Sequence, residues 1–543
     1  MHRLDRDSSE LAQGVYTPFQ QQLLRAEKLT DGRGRGLASG RSVQARSTIC
    51  AAQPPLSLLQ YSDSRSLCEV CCVCRRFCGS AGSALSKVLQ AADMGSLQDY
   101  LPDPQLAAEL DAPPWRVRDR VSCEHCDVVF CSEECAERGR TEGWHRVLCT
   151  DLSPQQRQVW KCFKQYSAKY HEQFTAAAQV IAEVISLVKY SDVELWEAMA
   201  YFSRFMKMSW LNMQNLPSLS MCQAGPVRGK LAAIAQGRKQ QRQQVMLASL
   251  ELLVAILWEE RWSELLSLDY YSNLVGQFCL SNVWVQIEHP LNERFQEICE
   301  NEEFSQKYGG LLRACQEALQ KVKAASSDDD GADQPENPET TAVHKEAASE
   351  PFALPRFEGS ALYPCVALSN HSCMPNFTMR YHDGCLADMV ALRDIKEGEE
   401  LNLAYVSPST PLPERVASLW KSWGFVCTCR RCQDEVMMRA VQAREERADG
   451  YPPELGVQLS AAGIAAAMEL VRGKHAEEEE DDDEETENGS SDEESSEEDA
   501  GVSNARNSPF SGPFGKTALP DSVKGIEAAM RDMMADMADE IDG

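Results

Sequence analysis

Apolar residues between 154 and about 270 recur at helical spacing, as in Phe174-Thr-Ala-Ala-Ala-Gln-Val-Ile-Ala-Glu-Val-Ile-Ser-Leu-Val188 and again over Val245–Trp258. That period predicts packed helices. On either side the pattern shortens. Ser42–Ile49 reads as a strand, 278–287 (Phe-Cys-Leu-Ser-Asn-Val-Trp-Val-Gln-Ile) as another, and 361–406 as short strands broken by turns. Residues 31–37, Asp-Gly-Arg-Gly-Arg-Gly-Leu, predict a turn that leaves backbone room for a ligand. A helical pattern resumes near 434. The chain ends in an amphipathic stretch, Asp521–Ile541, with Val523, Ile526, Met530, Met533, Met537 and Ile541 on one stripe. Two stretches lack any apolar period, 325–355 and 476–516, and predict disorder.

Charge changes little outside those two stretches. The net charge is −29, but residues 477–499 hold 16 acids and no base, and residues 328–350 hold 8 acids and one lysine. Removing their −23 leaves −6 for the remainder. The body is therefore mildly acidic. This disfavours direct duplex-DNA binding and suits a basic protein partner. Ser490–Asp499 places serines before acids, a pattern open to acid-directed phosphorylation, to binding basic proteins, or to a plain solubilising role. No run of about 18 apolar residues predicts a membrane span. The first residues, Met-His-Arg-Leu-Asp-Arg-Asp, lack the apolar core of a secretion signal, so nucleus and/or cytoplasm is the expected location.

The 22 cysteines then read as metal ligands rather than disulfides. They fall in three knots: Cys68, Cys71, Cys72, Cys74 and Cys78; Cys123, Cys126, Cys131, Cys135 and Cys149; and Cys427, Cys429 and Cys432. Cys71-x-x-Cys74, Cys123-x-x-Cys126, Cys131-x-x-x-Cys135 and His145-x-x-x-Cys149 supply seven thiolates and one imidazole. That is enough for two closed four-coordinate zinc sites. Cys68-x-x-Cys71 and Cys74-x-x-x-Cys78 compete for the opening pair, and His125 reads as a spectator. The third knot is one thiolate short of a tetrahedral site, and Cys373 can complete it.

Asn370-His371-Ser372-Cys373-Met374-Pro375-Asn376, Gly398-Glu-Glu-Leu-Asn-Leu-Ala-Tyr405 and Gly34-Arg35-Gly36-Leu37 occur in the order of a known family. With Trp423-Gly-Phe425 leading into the last cysteines, the chain resembles SET–MYND protein-lysine methyltransferases, close to plant trithorax-related SET proteins with a MYND-type finger. The opening Cys71-Cys-Val-Cys74-Arg-Arg-Phe-Cys-Gly-Ser is similar to that finger's start. The resemblance covers roughly residues 25–435. It implies an α+β fold: a pseudo-knotted SET domain of short strands and turns, split by a MYND-type zinc finger, with helical segments and disordered acidic inserts. The implied divisions are an N-terminal SET part at 25–67, the finger at 68–150, a helical and SET insert region at 151–300 and a partly disordered acidic insert at 301–355. The C-terminal SET and post-SET part follows at 356–435, then a helical stretch at 436–475, acidic disorder at 476–516 and the terminal helix at 517–543.

The resemblance also implies chemistry. S-adenosyl-L-methionine would be held by Arg33, Gly34, Arg35, Gly36, Asn370, His371, Tyr405 and Phe425, with Phe425 on the adenine and the two arginines near the carboxylate. Tyr405 would be the catalytic residue and, with Trp423, would wall the substrate lysine channel. About three zinc ions are implied, with interleaved ligation: Cys71, Cys74, Cys131 and Cys135; Cys123, Cys126, His145 and Cys149; Cys373, Cys427, Cys429 and Cys432. The expected partners are a histone or other basic protein carrying the lysine, and proline-containing peptides on the finger. Many family members carry a tyrosine where this chain has Trp423. The alternative reading is therefore a catalytically weak SET scaffold acting as a MYND-mediated protein-binding adaptor.

Overall fold

The computed structural model describes residues 18–448, apart from 20, 31–32, 203–204, 206–207, 214–225, 300 and 328–351. The start of the glycine-rich turn (31–32), the acidic stretch at 328–351, the expected helix beyond 448, the low-complexity segment at 476–516 and the Asp521–Ile541 stripe lie outside the described residues.

Three small sheets make the central body, one a local hairpin and two assembled from distant parts of the chain. Leu24–Lys28 pairs antiparallel with Arg35–Ser39. Phe357–Leu362 runs between Ser57–Gln60 and Val283–Ile287, antiparallel to both. Leu386–Ala391 runs between Phe377–His382 and Thr48–Gln53. A two-residue parallel pair, Asn370–His371 with Asn402–Leu403, brings the two C-terminal motifs side by side. The core between the sheets follows strand alternation in Phe377–His382 and Leu386–Ala391. Phe377, Ala387 and Met389 are fully buried between more exposed neighbours, while Leu37 and Phe357 lie on strands buried over most of their length. Each large apolar side chain contributes about 1.5–3 kcal/mol on burial.

Where local pattern and structure differ, turns and caps decide. The strand expected over Ser42–Ile49 is shorter and later, Thr48–Gln53, because Arg46 takes a left-handed φ of 64° and breaks extension. Residues 278–287 are divided. Phe278–Ser281 completes a helix begun at Leu268, whose N-cap Ser267 accepts from Tyr270 N–H, and only Val283–Ile287 is strand.

The long gap between Cys74 and Cys123 is filled by helices at Ala81–Ala91, Leu97–Tyr100 and Pro104–Glu109. They share a second core with the helix Glu302–Ser327, through Leu85, Val88 and Leu89 on one side and Tyr308, Leu311 and Cys315 on the other. Part of the segment read as an acidic insert is thus ordered. Phe304, Tyr308, Leu311, Cys315 and Ala318 form a helical stripe that its polar neighbours obscure. The expected helical region appears as Pro154–Tyr170, Gln173–Tyr190, Leu195–Phe202, Pro226–Leu257 and Leu268–Ser281. Gln173–Tyr190 is buried nearly all round. Its Glu183 carboxylate accepts the Trp144 N–H at 2.8 Å, tying these helices to the cysteine-rich segment.

Candidate active site and metal centres

Twelve ligand-type residues gather into three quartets whose donor atoms lie within 4.8 Å of one another. The quartets are Cys71, Cys74, Cys131 and Cys135; Cys123, Cys126, His145 and Cys149; and Cys373, Cys427, Cys429 and Cys432. The first two interleave along the chain. Cys68 is turned away, its thiol 3.3 Å from the Gln60 amide nitrogen and 3.4 Å from the Ser64 hydroxyl. His125 is exposed and outside both sets. A metal fits these donors. Sulfur–sulfur separations of 3.3 Å for Cys74–Cys131, 3.6 Å for Cys131–Cys135 and 3.7 Å for Cys123–Cys149 are close to the about 3.8 Å edge of a tetrahedron with zinc–sulfur bonds of about 2.3 Å. His145 Nε2 lies 3.4 Å from Cys126 Sγ, while its Nδ1 sits 2.7 Å from Gly139 O. Donating Nδ1–H to that carbonyl leaves Nε2 as the ligand atom.

The third quartet is coupled to its surroundings by two donors. His371 accepts the Tyr405 N–H at Nδ1 (2.9 Å), so its proton rests on Nε2, which faces Cys373 Sγ at 3.3 Å. One ring therefore bridges a metal ligand and the backbone of Tyr405. Arg415, with 1% of its side chain exposed, places NH2 3.7 Å from Cys432 Sγ and 2.9 Å from Glu435 Oε2, and donates NH1–H to Thr410 O at 2.7 Å. Four crowded sulfurs are stabilised by such donors, Arg415 the charged one. The Cys427, Cys429 and Cys432 thiols hydrogen-bonded to Cys373 hold its own thiol far below the usual range.

Around the bridge stands an aromatic cluster. The Tyr405 ring lies 5.3 Å from His371, 5.1 Å from Trp423 and 6.3 Å from Phe425, between ring centres. Its hydroxyl donates to Ser369 O at 2.6 Å. Burial, helped by the nearby Glu400 charge, pushes that hydroxyl up to about 12, so it stays protonated at neutral pH. Trp423 closes the helix Leu412–Trp423, which Gly424 ends in a left-handed conformation. Its indole N–H donates to Leu280 O at 3.3 Å, which anchors the wall to the helix Leu268–Ser281.

The glycine-rich turn joins this cluster through one carboxylate. Arg33 forms a two-pronged pair with Glu400, at 3.1 and 2.8 Å. Asn370 Nδ2 donates to the same carboxylate at 3.0 Å and to Arg35 O at 3.2 Å. Gly34 has φ +77° and nothing within 4 Å of an added Cβ, so open space borders it. Gly36 instead lies against Leu29, 3.0 Å from an added Cβ. Asn376 locks the two motifs together: its Oδ1 accepts Asn402 N–H at 2.8 Å and its Nδ2 donates to Glu400 O at 2.7 Å.

The structure thus brings Arg33, Gly34, Asn370, His371, Tyr405, Trp423 and Phe425 to one region, with Arg35 joined through its carbonyl. The His371 ring is engaged on both nitrogens, so further contacts from this residue fall to its main chain. Sequence reasoning missed Glu400, Ser369 and Arg415. Of these, Glu400 left a signal as part of the Gly398-Glu-Glu-Leu motif, and Arg415 as a lone cation on the buried stripe Leu412, Arg415, Val416, Leu419.

Comparison with known proteins gives this geometry a context. The SET domain family model matches residues 34–406. Histone-lysine N-methyltransferase ATXR2 of Arabidopsis thaliana is 23% identical over 436 residues, covering 69% of this chain and 83% of that protein. N-lysine methyltransferase SMYD2 of Homo sapiens is 43% identical over 74 residues, covering 14% of this chain and 17% of that protein. Histone-lysine N-methyltransferase SET5 of Meyerozyma guilliermondii is 45% identical over 78 residues, 13% of this chain and 16% of its own.

Proposed function

Because this chain belongs to the SET-domain family, we propose that it is an S-adenosylmethionine-dependent protein-lysine N-methyltransferase built on the site described above. The observation that carries the reading is the convergence of Arg33, Asn370, His371, Tyr405 and Phe425 from segments more than 300 residues apart. The residues present fit the cofactor. Open space at Gly34 leaves room for a ligand against the backbone, Arg33 with Glu400 and Asn370 offers both charges to an amino-acid head, and Phe425 offers a ring to a nucleobase. When bound, the cofactor supplies a sulfonium methyl group open to in-line displacement.

The protein's own part is alignment and desolvation. A lysine with a pKa of about 10.4 must lose its proton, at a cost of roughly 4–5 kcal/mol at pH 7. The walls formed by Tyr405 and Trp423 exclude water and disfavour the charged ammonium. The Tyr405 hydroxyl, protonated and fixed at Ser369 O, orients the neutral amine.

The finer reading has its own support. Zinc is the ion that suits the three thiolate-rich quartets, and the two interleaved ones form a MYND-type finger that takes proline-containing peptides. Nuclear action on histones rests on the names of ATXR2 and SET5 and on the mildly acidic body. The implied divisions of the chain, with the finger at 68–150 and the SET parts on either side of it, remain part of this reading. Transfer of labelled methyl groups to histone mixtures and cell extract tests it, with Tyr405→Phe as control. Labelled lysine is expected, and 10-fold or greater loss in the variant. Absence of transfer together with absence of cofactor binding by calorimetry refutes it. Trp423 favours the second reading, a finger-based adaptor on a weak catalytic scaffold, because its bulk narrows the channel beside Tyr405. Cofactor binding with no transfer to any protein would select that reading.

A further inference from the structure

Glu400 belongs to the Gly398-Glu-Glu-Leu motif and supplies the negative half of the Arg33 pair. It sits where three motif segments meet. Its backbone bridges Ala38, and the following Leu401 N–H donates to Leu37 O. Its carboxylate accepts from Arg33 NH1, Arg33 NH2 and Asn370 Nδ2. An ionised carboxylate offers about four acceptor positions, so these three contacts leave one for another donor. Glu400 keeps 21% of its side chain exposed, and its partner Arg33 precedes Gly34, where an added Cβ meets nothing within 4 Å.

The amino-acid head of the cofactor carries one carboxylate and one ammonium on a single carbon. An arginine alone answers half of that group and leaves the ammonium facing a cation. An arginine already paired in parallel with a glutamate presents opposite charges side by side, the mirror of a zwitterion. We propose that Glu400 is a cofactor-binding residue that accepts the α-ammonium of S-adenosylmethionine, while Arg33 takes the carboxylate. The pair reads the head as a zwitterion and rejects ligands carrying only one of its charges. This rests on the methyltransferase reading.

The test is calorimetry on the full chain with S-adenosylhomocysteine, its deaminated analogue and its decarboxylated analogue. The wild-type protein should bind the deaminated analogue at least 10-fold more weakly than the intact ligand. Glu400→Gln keeps the side chain's shape and one acceptor oxygen. It should weaken the intact ligand by a similar factor while losing most of the discrimination against the deaminated one, with non-additivity in the resulting cycle as the signature. Discrimination against the decarboxylated analogue should survive in Glu400→Gln and fall in Arg33→Met. Two results overturn the assignment: equal wild-type affinity for intact and deaminated ligands, which needs no variant, or equal weakening of both in Glu400→Gln. Failure of the wild-type protein to bind any adenosyl ligand refutes instead the methyltransferase reading on which the assignment depends.

Discussion

At the scale of single residues, the site works because His371 and Tyr405 have defined partners. His371 has both ring nitrogens engaged, Nδ1 accepting a backbone N–H and Nε2 facing a cysteine. Tyr405 is a donor by both hydrogen bonding and burial. This gives a pH prediction. The Tyr405 pKa is raised in the folded state, so its ionisation costs stability only above about pH 10 and the donor is lost only near 12. The substrate amine titrates first. Between pH 7 and 9 the rate on a lysine peptide should climb about tenfold per unit as the free amine accumulates. Tyr405→Phe should lower this line without changing its slope. A falling limb between pH 8 and 10, present in the wild-type profile and absent in the variant, would show the hydroxyl ionising within that range and contradict the assignment. Little of this was legible beforehand. Asn370–Asn376 and Gly398–Tyr405 are contiguous runs, so a sequence reading finds them. The Arg33–Glu400 pair spans 367 residues and leaves no local trace.

At the scale of elements, the helix Leu412–Trp423 links a metal centre to the aromatic cluster. Its N-terminal half holds Arg415 beside Cys432, and its last residue supplies the Trp423 wall. Arg415 is sandwiched between Glu435 and the sulfur cluster, so truncation leaves Glu435 with Arg431 as its partner and removes the donor to Thr410 O. Losing a hydrogen bond to a charged group costs about 1.5–3 kcal/mol. Removing an outer partner of a metal ligand weakens metal binding roughly 10–100-fold. Arg415→Met is therefore expected to lower the unfolding midpoint, speed metal loss to a chelator and shift Trp423 fluorescence. Arg415→Lys should recover part of each effect. If Arg415→Met retained wild-type metal affinity, the coupling would be absent. The elements themselves were unevenly legible. The helices at 154–190 announce themselves by period. Glu302–Ser327 does not, because its apolar stripe is diluted by charge and meets its partner, Ala81–Ala91, only in three dimensions.

At the scale of the whole described molecule, the central body closes only when residues 24–77 meet residues 285–401, since its core draws on both. Such non-local pairing must pay its loop entropy before any contact forms. The metal quartets act on that problem in different places. Two tie the cysteine-rich segment to itself, and the third ties Cys373 to residues 427–432. They should be separable. Titrating the thiols with a mercurial should release three zinc ions per chain, one for each quartet. Cys131→Ser should lose finger zinc and leave S-adenosylhomocysteine affinity within about twofold, because its quartet touches neither His371 nor Arg33. Cys373→Ser should lose the third ion and weaken the same ligand by about tenfold or more, because His371 then loses the sulfur that fixes its ring against the Tyr405 amide. The reverse ranking, with the finger variant hurting ligand binding more, would mean that the cysteine-rich segment supports the site through the shared core around Phe77 and Cys68 rather than standing apart from it. Ligand affinity measured on both variants beside their zinc content decides between these two arrangements.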